Sequence, residues 1–81
     1  MEDINVDLKE SISSELRSLR AKIGLTTKEV AIKSKVNKDT IVRYENNKTK
    51  MNIDILSKLL FTYNVPFDIF FTNVDANMQN K

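Results

Sequence analysis

The chain has 81 residues, 13 Lys and Arg against 11 Asp and Glu, a net charge of +2, and neither cysteine nor histidine. That length supports one small core; the missing cysteines exclude disulfides and thiolate zinc sites, and the missing histidines remove the usual metal ligand and neutral-pH acid–base group. No run of about eighteen apolar residues offers a membrane span. The acidic N-terminus is not a signal peptide. One glycine and one proline in the whole chain argue for helices rather than sheet turns. The sequence therefore reads as all-α and cytoplasmic.

Charge is unevenly placed. Residues 1–16 hold one Lys and five acids, residues 17–50 ten Lys and Arg and three acids, and residues 51–81 two Lys and three acids. The segments carry −4, +7 and −1. The positive charge sits mid-chain, as binding to a phosphate backbone requires.

Residues 1–10 are polar and acidic. Ile4, Leu8 and Ile12 are four apart, which leaves two readings open: a helix-1 extension beginning as early as Asn5, or a frayed arm. From Ile12 the pattern is firmer. Ile12, Leu16, Leu19 and Ile23 form a helical stripe, and Gly24 is the natural stop. Leu25 is placed to insert between helices.

The next stretch predicts two short helices joined by a tight turn. Thr26 caps the first, and Glu29 three positions on completes a capping box. Val30, Ala31 and Ser34 form its narrow inward stripe, and the chain turns through Lys35 and Val36. Asn37 can cap the second helix, with Asp39 suited to its positive end. Asn37, Thr40, Ile41 and Tyr44 share one face, leaving Lys38, Asp39, Val42, Arg43 and Asn46 on the other. A short helix with a polar, cationic outer face, held from beneath by a second helix, has the size of an object that enters a DNA major groove.

Lys48 to Asn52 reads as a polar, basic loop. Asn52 can cap a fourth helix that carries Ile53, Leu56, Leu59, Leu60 and Tyr63 inward and ends near Asn64. Val65 precedes Pro66, which suits the first turn of a fifth helix whose inner face is Phe67, Phe70 and Phe71. Residues 73–81 are polar and read as a flexible tail. The domain map is thus an acidic arm or helix extension at 1–10, a DNA-binding domain at 11–72 and a tail at 73–81.

Several short words, at matching spacings, resemble the phage repressor/Cro-type (Xre-like) helix-turn-helix family. They are Leu19-Arg20, Gly24-Leu25-Thr26, Val30-Ala31, the run from Thr40 to Lys48, and Asn64-Val65-Pro66-Phe67-Asp68. The resemblance spans about Ser11 to Phe71. Ser11 to Ser14 and Glu45 to Lys50 look especially similar to the lambdoid phage repressor branch. The resemblance implies a compact five-helix, lambda-repressor-like DNA-binding domain with the helix-turn-helix at helices 2 and 3.

It also implies roles. Arg20 and Glu45 match an internal ion pair, a brace rather than a DNA contact. Thr27, where the family often has Gln, matches a phosphate contact, with Lys28 as its back-up. Asn46, Asn47, Lys48, Thr49 and Lys50 match a loop that grips phosphate, and Asn37 caps helix 3 with a phosphate contact also open to it. Base reading falls to Lys38, Asp39, Val42 and Arg43. Arg43 or Lys38 can pair with guanine, Asp39 can accept from cytosine or simply complement the helix start, and Val42 offers a methyl surface to thymine.

The chain departs from the family at three places. Lys35 and Asn47 stand where glycine is usual, and the loop before helix 4 lacks the Pro and Arg of the lambdoid branch. The family arrangement is a homodimer on a two-fold site, its recognition helices roughly 34 Å apart. The candidate dimer surface is Val65, Phe67, Ile69, Phe71 and Val74, with Ile69 and Val74 as the exposed surplus.

The expected function is sequence-specific binding of double-stranded DNA as a transcriptional regulator, a repressor occupying a two-fold operator. The alternative is a protein-binding module on the same scaffold, an antitoxin or anti-repressor. No catalytic constellation, phosphate-cradling glycine loop or metal spacing is present, so neither enzyme activity nor a cofactor is expected.

Overall fold

The computed structural model describes residues 2–48, 50 and 52–79, and the side chains of residues 8–48, 50 and 52–78. Five helices follow in chain order: α1 Glu2–Ile23, α2 Thr27–Ser34, α3 Lys38–Glu45, α4 Ile53–Tyr63 and α5 Phe67–Gln79. No strand occurs among the described residues.

α1 is a continuous helix through the acidic segment. Ile12, Leu16 and Leu19 are buried, whereas Leu8 and Ile23, at the two ends of the expected stripe, are exposed. Ile4 lies outside the described side chains. Gly24 ends the helix with φ +82°. Its N–H and that of Leu25 both bond the Arg20 carbonyl, at 2.9 and 3.2 Å, so that otherwise orphaned acceptor is satisfied.

The core gathers Ile12, Leu16, Val30, Ile41, Tyr44, Leu56, Leu59, Leu60 and Phe70 from all five helices. Four packing expectations are corrected. Ile53 is 64% exposed, because it opens α4 before the helix reaches the core; Ile55 packs there instead. Asn37 is exposed rather than sharing the inner face of α3, since a capping residue lies outside the helical spiral. Phe67, at the start of α5, is 38% exposed, so Phe70 alone of the three phenylalanines is fully inside.

The fourth correction concerns α5. It runs to Gln79, through the stretch expected to be loose. No glycine or proline interrupts it, and Val74 and Met78 continue the Phe70 stripe at intervals of four. Val74 is therefore 1% exposed and Met78 packs on the core. The same register brings Asn77 to α1, where its Nδ2 donates to Glu15 Oε1 at 3.2 Å. α5 packs chiefly against α1.

Candidate nucleic-acid interface

Local chemistry fixes the α2–α3 pair. Thr26 Oγ1 accepts from the Glu29 N–H at 3.1 Å, and the Thr26 N–H donates to Glu29 Oε1 at 2.8 Å. The bond from the Thr26 backbone N–H, and after it the Thr26 side chain, favour the ionised carboxylate and hold Glu29 below its usual range. α2 ends at Lys35, whose φ of 61° is left-handed, with its N–H on the Ala31 carbonyl at 2.9 Å. A lysine there costs on the order of 1 kcal/mol relative to glycine. Ser34 Oγ then accepts from the Val36 N–H, and Asn37 Oδ1 from the Asp39 N–H, at 3.2 and 2.8 Å, setting the entry to α3.

This turn sinks Ile41 and Tyr44 into the core and leaves Lys38, Asp39, Val42 and Arg43 exposed together on the outer side of α3. Val42 is 37% exposed, an apolar surface between two cations. Thr27 is half-buried at the first position of α2, and Lys28 is exposed beside it. The structure thus brings the base-reading candidates onto one surface and sets Thr27, Lys28 and Asn37 at the openings of the two helices.

Beneath that surface Arg20 clamps Glu45. Its Nε donates to Oε2 at 2.7 Å and its Nη2 to Oε1 at 2.9 Å, while Nη1 reaches the Leu25 carbonyl at 3.0 Å. One guanidinium therefore ties α1 to the end of α3 and to the start of the α2 cap. The hydrogen bond to Glu45 raises the Arg20 pKa above its already high value. Arg17 adds a bond from Nη1 to the Glu45 carbonyl at 3.2 Å. Tyr63, 4% exposed, is pushed up to about 12, first by burial and then by the Glu45 carboxylate.

The loop after α3 is folded back onto its helix. The Asn46 N–H and side-chain amide both reach the Val42 carbonyl, and the Lys48 N–H reaches the Arg43 carbonyl at 2.8 Å. Asn47 sits between them at φ 56°, in the left-handed region. Tyr44 Oη accepts from the Asn52 N–H at 2.8 Å and so pins the far end of the loop to α3. Lys48 and Lys50 are exposed, Asn47 is half-buried, and Thr49 lies outside the described residues.

The aromatic end is a separate surface. Phe67 and Ile69 are exposed, Val65 and Phe71 are half-buried, and Phe67 stacks on Phe71 with centroids 6.3 Å apart. Val74 does not belong here; as the next inward turn after Phe70 it is core. Phe61, which sequence reading overlooked, is 88% exposed. Its signal was present: Leu56, Leu59, Leu60 and Tyr63 already fill the inner face of α4, so Phe61 falls outside it. With Leu60, Asn64, Val65 and Pro66 it lines an open cavity of about 450 Å³.

Among the described residues no group of His, Cys, Asp and Glu could hold a metal ion, and no helix is long and apolar enough to cross a membrane.

The fold has solved counterparts. The wild-type restriction-modification controller protein C.Esp1396I superposes with a TM-score of 0.86 over 91% of this chain and 96% of its own, at 22% identity. The same controller, as a tetramer in complex with its natural 35 base-pair operator, gives 0.83 over 89% and 95% at 22% identity. The clp gene regulator ClgR from Corynebacterium glutamicum gives 0.82 over 89% of this chain and 77% of its own, again at 22% identity. No curated protein matches the sequence. The family model described as helix-turn-helix (HTH_3) matches residues 16–70, from the first helix to the fifth. That match covers more than half of the chain, and with the α2–α3 geometry it places this protein in the helix-turn-helix family of DNA-binding transcriptional regulators.

Proposed function

We propose that the chain is a repressor that binds a two-fold operator as a homodimer, in the cytoplasm, with α3 in the major groove. The observation that carries this reading is the outer side of α3, where Lys38, Asp39, Val42 and Arg43 stand exposed together above a braced core. In this reading Arg43 or Lys38 pairs with guanine O6 and N7, and Val42 meets a thymine methyl. Asp39 accepts from cytosine N4 where the site offers it.

Thr27, Lys28 and Asn37 at the helix openings, and Asn46, Asn47, Lys48 and Lys50 after α3, take phosphates; Thr49 belongs to the same loop. The N–H groups at the helix openings and the lysines of the loop supply the sequence-independent share of affinity. The DNA-binding unit, drawn at 11–72 from the sequence, takes in Val74 and Met78 as well, because α5 packs through them.

Each good base contact discriminates by about 1–3 kcal/mol, so one copy specifies only a short half-site. Two copies joined through Phe61, Val65, Phe67 and Ile69 read two half-sites. The operator complex of the C.Esp1396I tetramer is a precedent in the same fold. Selection of bound duplexes from random DNA is expected to enrich a palindrome; enrichment of no sequence at low ionic strength contradicts the reading.

A second reading, a protein-binding module such as an antitoxin, is favoured by one observation, the 88% exposure of Phe61 on an apolar end. A stoichiometric protein partner in the purified material, with no retardation of any duplex, supports it over the first.

A further inference from the structure

Among the described residues, four buried side-chain polar atoms lack a hydrogen-bond partner, and three of them belong to residues around one cavity. The three are Ser11 Oγ, Ser13 Oγ and Asn47 Oδ1; the fourth is the Tyr63 hydroxyl. The cavity, about 460 Å³, lies between the middle of α1, the loop after α3 and Asn77 near the end of α5.

Ser11 is 1% exposed and Ser13 3%. A buried hydroxyl without a partner forfeits its hydration with nothing in return. An alanine at either position would avoid that cost, so two such serines beside the same cavity point to a polar occupant. The volume is that of a small-molecule site. A serine redirects its hydroxyl by one step about χ1, without backbone movement.

Charge narrows the occupant. Arg17 and Lys48, both exposed, also line the cavity; of Arg17's five donors, one is spent on the Glu45 carbonyl. Two carboxylates line it as well: Glu45 is neutralised by Arg20, and Glu10 is exposed, which leaves two cations against one carboxylate. A guanidinium and an ammonium, with two serine hydroxyls one χ1 step from the cavity, suit a tetrahedral phosphate. Asn47 Oδ1 can only accept, so the remainder of the ligand has to donate, as a polyol hydroxyl does.

We propose that this cavity binds a small phosphorylated polyol. Because Asn47 and Lys48 belong to the loop assigned above to DNA phosphates, the occupant draws Lys48 away from DNA and weakens operator binding. This regulatory half rests on the DNA-binding reading; the ligand site does not.

The test is an amide NMR titration of the full chain without DNA, using glucose 6-phosphate, ribose 5-phosphate and glycerol 3-phosphate, with glucose and inorganic phosphate as controls. At least one phosphorylated polyol is expected to give saturable shifts at Ser11, Ser13, Arg17, Asn47 and Lys48, at about 1 mM or tighter. Glucose is expected to give none, and inorganic phosphate weaker shifts at the same amides. The Ser11→Ala, Ser13→Ala double variant, with a folded spectrum, is expected to lose at least tenfold in affinity. Failure of all three probes to saturate, or shifts spread evenly over Lys28, Lys38 and Arg43, means that water alone fills the cavity and overturns the proposal. Adding the binding probe to the selected duplex complex then tests regulation: weaker DNA binding supports it, and unchanged DNA binding removes that half while the site stands. A chain that titrates with the probe but binds no duplex contradicts the DNA-binding reading alone.

Discussion

Between Thr26 and Asn47 the backbone is set by bonds between residues a few positions apart, whereas between Phe61 and Val74 similar residues are sorted by packing from across the fold. The first region has its capping box, its left-handed Lys35 and Asn47 and its Asn37 cap, each closed by a short-range hydrogen bond. In the second, Phe67, Phe70 and Phe71 lie within five residues, yet only Phe70 is fully enclosed. Local closure fixes a surface in place for a rigid partner such as duplex DNA. Packing that leaves Phe61 and Ile69 outside produces an apolar surface, the one proposed above to meet a second copy.

The widest expected difference between the regions is in stability. Glu45→Ala leaves Arg20 without its carboxylate beneath the face proposed to bind DNA, and removal of one partner from such a pair is expected to cost about 3 kcal/mol. Thermal unfolding should show a fall in Tm of more than roughly 10 °C. A fall within a degree or two would mean that the brace is ornamental and that the region holds its shape without it.

The aromatic end should respond in the opposite way. Phe61→Asp removes an exposed side chain, so the folded monomer is expected to lose no more than about 0.5 kcal/mol. Sedimentation should instead show loss of self-association, and affinity for a two-fold duplex should drop at least tenfold while affinity for a single half-site is kept. Equal losses on both duplexes would erase the distinction between the two regions.

The smallest effect is a gain. Lys35→Gly relieves the left-handed turn and, with the lysine exposed, removes no packing. It is expected to stabilise by about 0.5–1 kcal/mol, read as a rise in Tm of a few degrees. No rise would show that the turn is already relaxed around its lysine.

What the sequence disclosed follows the same division. The helix-turn-helix could be read because its signals are local and chemical: Thr26 with Glu29, Asn37 before Asp39, Gly24 after a full stripe. The ends of the molecule were read less well because burial there depends on partners far along the chain. Val74 looked like surplus once α5 was expected to stop near Thr72; the run Phe70, Val74, Met78 carried the contrary signal and was outweighed by the polar residues around it. Ile53 sits at an apolar position whose partner is missing at the helix start. The cavity beside Ser11 and Ser13 left no trace in any periodicity, since it exists only where α1, the loop after α3 and α5 converge.

The central claim is that the outer side of α3 reads base edges while the loop after it grips phosphate. Binding of Arg43→Ala and Lys48→Ala to the selected duplex and to a random duplex, across a range of salt, tests it most directly. Arg43→Ala is expected to lose its preference for the selected duplex, by about 1–3 kcal/mol, whereas Lys48→Ala keeps the preference and lowers the salt slope by about one. Equal losses on both duplexes for both variants would contradict the claim.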